Sequence, residues 1–294
     1  DSSTSRGLGD VYKRQALILH ALAKPGNGMW IEDPGFPLIR PIVTRHDVEI
    51  LPVPVDDNGL DITSGIQNYP DARFALITPA HQSPLGVALS LARRHQILEW
   101  ADRSQAWIIE DDYDSEFRYH GKPLPALKSL DAPQRVIYAG TFSKALFPAL
   151  RCAWLVVPVK QIAQFRHQAS LAPCAVPVLW QNTLADFLRE GHFWRHLKKM
   201  RQHYAQRRQW IEQALTQQGF QVVPQKGGIQ MVIRMIGDDI AHARKANAAG
   251  LAVQALSDWR IRSSGEGGLL LSFTNIVNEG MARQVAQQLR KALS

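Results

Sequence analysis

Residues 135–151 read RVIYAGTFSKALFPALR. The run Val136-Ile137-Tyr138-Ala139 is apolar and β-branched enough to be a buried strand. Gly140 closes it, and Thr141, Ser143, Lys144 and Arg151 follow within one short segment. In parallel α/β sheets, ligands bind just beyond the carboxyl ends of the strands. Two other apolar runs end in reactive side chains. AWII (106–109) leads into Glu110-Asp111-Asp112-Tyr113, and RFALI (73–77) into TPAHQSPLG (78–86). A carboxylate, a phenol, hydroxyls and a lysine can therefore converge on one rim.

The flanking sequence supports this α/β reading. MWIED (29–33), VEILPVPVD (48–56) and CAWLVVPV (152–159) are further strand candidates, with helical stretches such as SLARRHQILEWADRSQ (90–105) between several of the runs. Strands alternating with helices predict a mostly parallel sheet covered on both faces. From about Val178 the pattern is helical as far as Gly219. Shorter strand candidates follow at 220–225 (FQVVPQ), 228–235 (GIQMVIRM) and 268–273 (GLLLSF), with two helical runs, and predict a second, smaller α+β domain.

Composition narrows the class. The chain has 294 residues, 45% hydrophobic and 20% charged, with a net charge of +8. No apolar run is long enough to span a bilayer, and no secretory signal is visible. Two cysteines, Cys152 and Cys174, are too few for a disulfide framework. They fit a reducing cytoplasm as ordinary buried residues. The basic excess is spread out except at 195–208, RHLKKMRQHYAQRR, which reads as the wet face of a long helix rather than a DNA contact. Residues 1–15 are set apart. DVYKRQ (10–15) can be written in the codons GAT GTG TAT AAG AGA CAG, the end of a transposon used to build sequencing libraries. The segment is therefore read as a translated scar, excluded from the fold, ahead of a large domain over 16–205 and a small one over 206–294.

The rim residues suit pyridoxal 5'-phosphate. That cofactor needs a lysine amine for a Schiff base, favoured where the lysine pKa is lowered. It needs a carboxylate at the pyridine nitrogen, so that the ring acts as an electron sink. Its phosphate needs hydroxyl, N–H and arginine donors. No metal is called for.

The segments EDPGFP (32–37), TPAHQSPLG, IIEDDYDSEFRYHGKPLPALKSLD (108–131) and GTFSKALFPALR (140–151) closely resemble the MocR-type regulators of the GntR superfamily. Those proteins join a winged helix-turn-helix to a fold-type-I aminotransferase-like domain. The resemblance runs from about Ala16 to the C-terminus and implies the following roles. Lys144 is the Schiff-base lysine, Asp111 the partner of the pyridine nitrogen, and Tyr113 the phenol near the ring hydroxyl. Arg151, Thr141 and Ser143 serve the phosphate, and Phe36 stacks on the ring. His81 and Gln82 belong to the strand-end motif without an assigned act.

Three departures from working aminotransferases are visible. Ser83 stands where an asparagine usually bonds the ring hydroxyl. Leu270 stands where an arginine usually clamps the substrate carboxylate, a role leucine cannot fill, although Arg260 or Arg262 could reach in from a nearby loop. The phosphate-cradling loop expected just before Ala16 is occupied by the scar. The reading that follows is the effector-sensing domain of a transcriptional regulator. It would bind pyridoxal phosphate, or an amino acid or amine with it, as a homodimer, and reach DNA only through a lost N-terminal domain. An active aminotransferase and a degenerate binding module stand as alternatives.

Overall fold

The computed structural model describes residues 3–121, 124–171, 176–262 and 265–294, with side chains from residue 13 onward. Strands β1 (Gly28–Asp33), β2 (Glu49–Asp56), β3 (Gly59–Leu60), β4 (Phe74–Ile77), β5 (Trp107–Asp112), β6 (Val136–Thr141) and β7 (Ala153–Val156) form one sheet. Its order is β3-β2-β1-β4-β5-β6-β7. All neighbouring pairs from β2 to β6 run parallel, and the edge strands β3 and β7 are antiparallel. The jump from β1 to β4 makes the order reverse, which places a crevice at the carboxyl ends of the central strands.

Helices cover both faces. α1 (Ser3–Leu22), α2 (Arg40–Thr44) and α5 (Ile162–Leu171) lie over one, α3 (Ile62–Asn68) and α4 (Leu91–Arg103) over the other. The central strands are mostly apolar because both faces are buried, whereas β2 and β7 are only partly buried. In β5, Ile109 points to the first layer and Ile108 to the second, the alternation a pleated strand imposes.

The long helical stretch divides at Gly191, whose φ of 74° is left-handed, into α6 (Val178–Arg189) and α7 (His192–Gln217). The basic run 195–208 lies on α7, which buries Phe193, Leu197, Arg208 and Ile211 and leaves Lys198 and Lys199 exposed. Its first half packs in a cluster with Phe142 and Leu184, and its second half in the core of the small domain. The division at 205/206 therefore falls inside one continuous helix. That smaller core joins α8 (Asp239–Ala248), α9 (Glu279–Leu293) and an antiparallel sheet of β8 (Gln230–Met235), β9 (Val253–Ala255) and β10 (Gly267–Ser272).

FQVVPQ is not a strand. Only Val222 bridges Ile233, while Pro224 has no N–H to give a ladder. α1 runs without a break through the expected scar boundary at residue 15. Cys152 is buried, and Cys174 lies outside the described residues. No described helix is long and apolar enough to cross a membrane.

Candidate functional site

The three consecutive carboxylates that end β5 have three different surroundings. Glu110, on the α4 face, accepts the backbone N–H groups of Leu127 (2.7 Å) and Lys128 (2.8 Å). Asp112 caps the following turn, accepting from Ser115 Oγ (2.7 Å) and from the Tyr138 hydroxyl (2.7 Å). Asp111, between them, points to the α1 side of the crevice. Its Oδ1 takes Arg14 Nη2 at 2.6 Å and its Oδ2 takes Gln15 Nε2 at 3.1 Å. Arg14 also donates through Nη1 to the Ala139 carbonyl of β6 at 2.9 Å. Burial pushes the Asp111 carboxyl up, and Arg14 pulls in the opposite direction. Both partners of Asp111 come from the segment set aside as a scar. A reading that excluded it could not supply them.

β6 lies beside β5, with Ala139 opposite Asp111 and Gly140 opposite Asp112. Thr141 and Ser143, both buried, follow from this end, and Thr141 Oγ1 accepts the Ser143 N–H at 3.1 Å. Lys144 comes next. Part of its side chain meets solvent, yet enough protein surrounds it to lower its ammonium below the usual lysine range, with Asp114 acting the other way. Arg151 closes the segment in a left-handed conformation (φ 50°). It lines a cavity of about 340 Å³ with Lys13, Arg14, Trp154, Phe165 and Arg166.

The loop after β4 supplies the opposite wall. Glu32, at the end of β1, accepts Thr78 N (3.0 Å) and Thr78 Oγ1 (2.6 Å). Gln82 donates to the carbonyls of Pro34 (2.9 Å) and Ser83 (2.8 Å), so its amide fastens the EDPGFP loop to the TPAHQSP loop. Burial raises Glu32 to about 7. Ser83 is buried near the Tyr113 phenol, which burial and the Asp114 charge push well above its ordinary range. His81 Nδ1 lies 3.1 Å from Tyr113 Oη and 3.2 Å from Asp114. Phe36 and Asp111 line one residual cavity of about 30 Å³, which holds a water or two but no aromatic ring.

Phe36 also packs on the small domain. Its ring centroid is 5.7 Å from that of Trp259, in a cluster with Val232, Leu256 and Leu270. Leu270, 3% exposed, therefore faces the large domain from the middle of β10, while Leu269 and Leu271 face the small core. The loop arginines do not replace a clamp there. Arg262 Nη2 is held by Tyr69 Oη (2.8 Å) and the Pro52 carbonyl (3.3 Å) on the far side of β2, and Arg260 Nη2 by its own loop at Glu266 O. The suggestion that either enters the site is corrected by these contacts.

The donors and acceptors fit pyridoxal phosphate in kind. Asp111 already receives a cationic N–H donor, the interaction a protonated ring nitrogen makes. A lysine of lowered pKa and two buried hydroxyls follow from the adjacent strand.

Comparison with known proteins agrees. Residues 9–265 match the family model described as aminotransferase class I and II. The chain is 33% identical over 282 residues to the probable rhizopine catabolism regulatory protein MocR of Rhizobium meliloti, covering 94% of this chain and 56% of that protein. It is 31% identical over 280 residues to the HTH-type pyridoxine biosynthesis transcriptional regulator PdxR of Corynebacterium glutamicum, covering 95% and 60%. The chain thus spans about half the length of the curated relatives it matches. Among solved structures, the kynurenine aminotransferase of Pyrococcus horikoshii superposes with a TM-score of 0.86 at 24% identity, over 97% of this chain and 73% of that one. This likeness shows the fold alone, a fold-type-I aminotransferase architecture.

Proposed function

We propose a function on one premise, that the chain belongs to the aminotransferase class I and II family. It is a pyridoxal-phosphate-binding domain that senses a small amine or amino acid, or the cofactor itself, within a MocR-type transcriptional regulator. The observation that supports this is the parallel pairing of β5 with β6, Asp111 opposite Ala139 and Asp112 opposite Gly140, so that the segments carrying Tyr113 and Lys144 leave the same end of the sheet. Bound there, the cofactor supplies an electron sink. Lys144 is its covalent anchor, and the lowered ammonium pKa leaves more of the amine neutral and nucleophilic. Asp111 would hold the positive ring nitrogen, Tyr113 and Ser83 would serve the ring hydroxyl, and Phe36 would cover the ring. Thr141, Ser143 and Arg151 would take the phosphate.

Leu270 favours sensing over transamination. An apolar side chain buried against Phe36 offers no bidentate partner to a substrate carboxylate. In the cytoplasm, the domain would act as a homodimer and reach DNA through a separate winged-helix domain. Val178, Leu179 and Trp180, consecutive and exposed at the start of α6, offer apolar side chains for the dimer contact.

The experiment is an absorbance spectrum of the purified chain with added pyridoxal phosphate, beside Lys144→Ala. A visible band in the parent that the variant lacks supports the reading. No band in either folded protein refutes it. Conversion of the bound cofactor to its amine form by an amino acid would favour the enzyme instead.

A further inference from the structure

We infer that His81 is a positioning residue for Tyr113, and that the Lys226–Gly228 turn of the small domain sets where His81 stands. The inference rests on the cofactor-binding reading above.

His81 makes two polar contacts, both through Nδ1: Tyr113 Oη at 3.1 Å and the Asp114 carboxylate at 3.2 Å. A carboxylate only accepts, so the tautomer with a proton on Nδ1 satisfies both oxygens, and Tyr113 keeps its own proton to donate. The other ring nitrogen, Nε2, is buried without a protein partner, as is Arg118 Nε. Both residues line a cavity of about 80 Å³ with Asp114, Gly227 and Gly228. Tyr113, Asp114 and Arg118 are thus the titratable or charged groups gathered around the imidazole. Burying an imidazole with one nitrogen unsatisfied is unfavourable, and an aromatic hydrocarbon would pack there without that cost. What the imidazole adds is a directed contact to the phenol.

The ring is held from outside the large domain. Gly228 adopts φ +86°, and a Cβ built there would run into the imidazole. The turn is itself fixed. Gly228 N donates to Phe117 O at 2.9 Å, Tyr119 Oη donates to Gly228 O at 2.8 Å, and Arg208 Nη1 on α7 donates to Gly227 O at 3.2 Å. Phe117 and Tyr119 belong to the large domain, so these bonds fasten the turn against it, and a change in the turn alters the wall against which His81 rests and, through His81, the phenol.

The test uses the full chain and the visible band of bound pyridoxal phosphate, titrated with pH, in the parent, Tyr113→Phe, His81→Phe, His81→Asn and Gly228→Ala. His81→Asn keeps a polar atom near the Nδ1 position. His81→Phe and Gly228→Ala should shift the midpoint in the same direction as Tyr113→Phe, by about half a unit or more. Affinity should weaken by about five-fold. His81→Asn should restore most of the parent behaviour, and His81→Phe combined with Tyr113→Phe should match Tyr113→Phe alone. Thermal melts establish that each variant is folded. If His81→Phe and Gly228→Ala both leave the midpoint unchanged while Tyr113→Phe moves it, the inference is overturned and the cofactor reading stands. If the parent has no Lys144-dependent band, the cofactor reading and this inference fall together.

Discussion

At the residue scale, the decisive contact is the one between Arg14 and Asp111. Arg14 is 3% exposed, and its guanidinium bridges Asp111 and the Ala139 carbonyl. It meets the carboxylate that the proposed function assigns to the ring nitrogen. The space between Asp111 and Phe36 is then too small for a ring. Cofactor and Arg14 should compete. Arg14→Ala should cost the cofactor-free chain about 3 kcal/mol, because it leaves a mostly buried carboxylate without its cationic partner and with only the Gln15 amide. The same variant should bind pyridoxal phosphate about ten-fold or more tighter, since the competent site no longer has to expel a side chain. Urea unfolding and an absorbance titration measure the two effects. Weaker binding in Arg14→Ala would show that Arg14 supports the cofactor instead. The sequence gives no hint of this pair. Its partners are separated by 97 positions, and nothing in the residues around Arg14 specifies what it meets.

At the scale of elements, the strand ends were readable and their tertiary surroundings were not. The pleat alone separates Glu110 and Asp112 from Asp111, because successive side chains on β5 alternate between faces. Which face carries the site depends on the helices packed above it. FQVVPQ looked like a strand by composition, but its only bridge is Val222 with Ile233. β9 is three residues long, too short to leave a period in the sequence. The edge pairing of β6 with β7 is equally hidden, yet it positions the turn that carries Lys144. Gly140 sits directly opposite Trp154, and a Cβ there would run into the indole. Gly140→Ala should therefore destabilise the protein by roughly 1–3 kcal/mol through overpacking. It should weaken cofactor uptake as well, because the neighbouring Thr141–Lys144 segment shifts with the strand. A lowered denaturant midpoint together with weaker uptake would support this. Parent-like values for both would show that the strand pair absorbs the methyl group.

Across the whole molecule, the two cores meet through polar ties as well as the apolar cluster of Phe36, Trp259 and Leu270. Asp33 accepts the backbone N–H groups of Ile261 (2.9 Å) and Arg262 (3.1 Å), and Arg40 donates to the Trp259 carbonyl (2.7 Å). Motif spacing made the large domain and its rim legible. It could not show that Leu270 and Phe36 share one inter-domain cluster, since that depends on how β10 faces β1. Glu32 and Glu110, both buried, and the partly buried Glu116 shape the molecule's pH response. Burial raises Glu32, Glu110 and Glu116 from 4.5 to about 7 each. Below pH 4.5 both folded and unfolded chains carry these protons. Between about 4.5 and 7 the unfolded chain releases them while the folded chain keeps them, so stability falls as pH rises, then levels off. Each group contributes at most about 1.4 kcal/mol per pH unit within that window. Asp56, lowered chiefly by its pairing with Arg93 against the cost of burial, acts in the opposite sense and only at more acidic pH. The chain without cofactor should therefore unfold at a higher urea concentration at pH 5 than at pH 7.5. Glu32→Gln should reduce that difference by about a third, because the amide stays neutral throughout while Glu110 and Glu116 still titrate. A midpoint that rises from pH 5 to pH 7.5 in the parent would mean that these carboxyls ionise in the folded protein despite their burial.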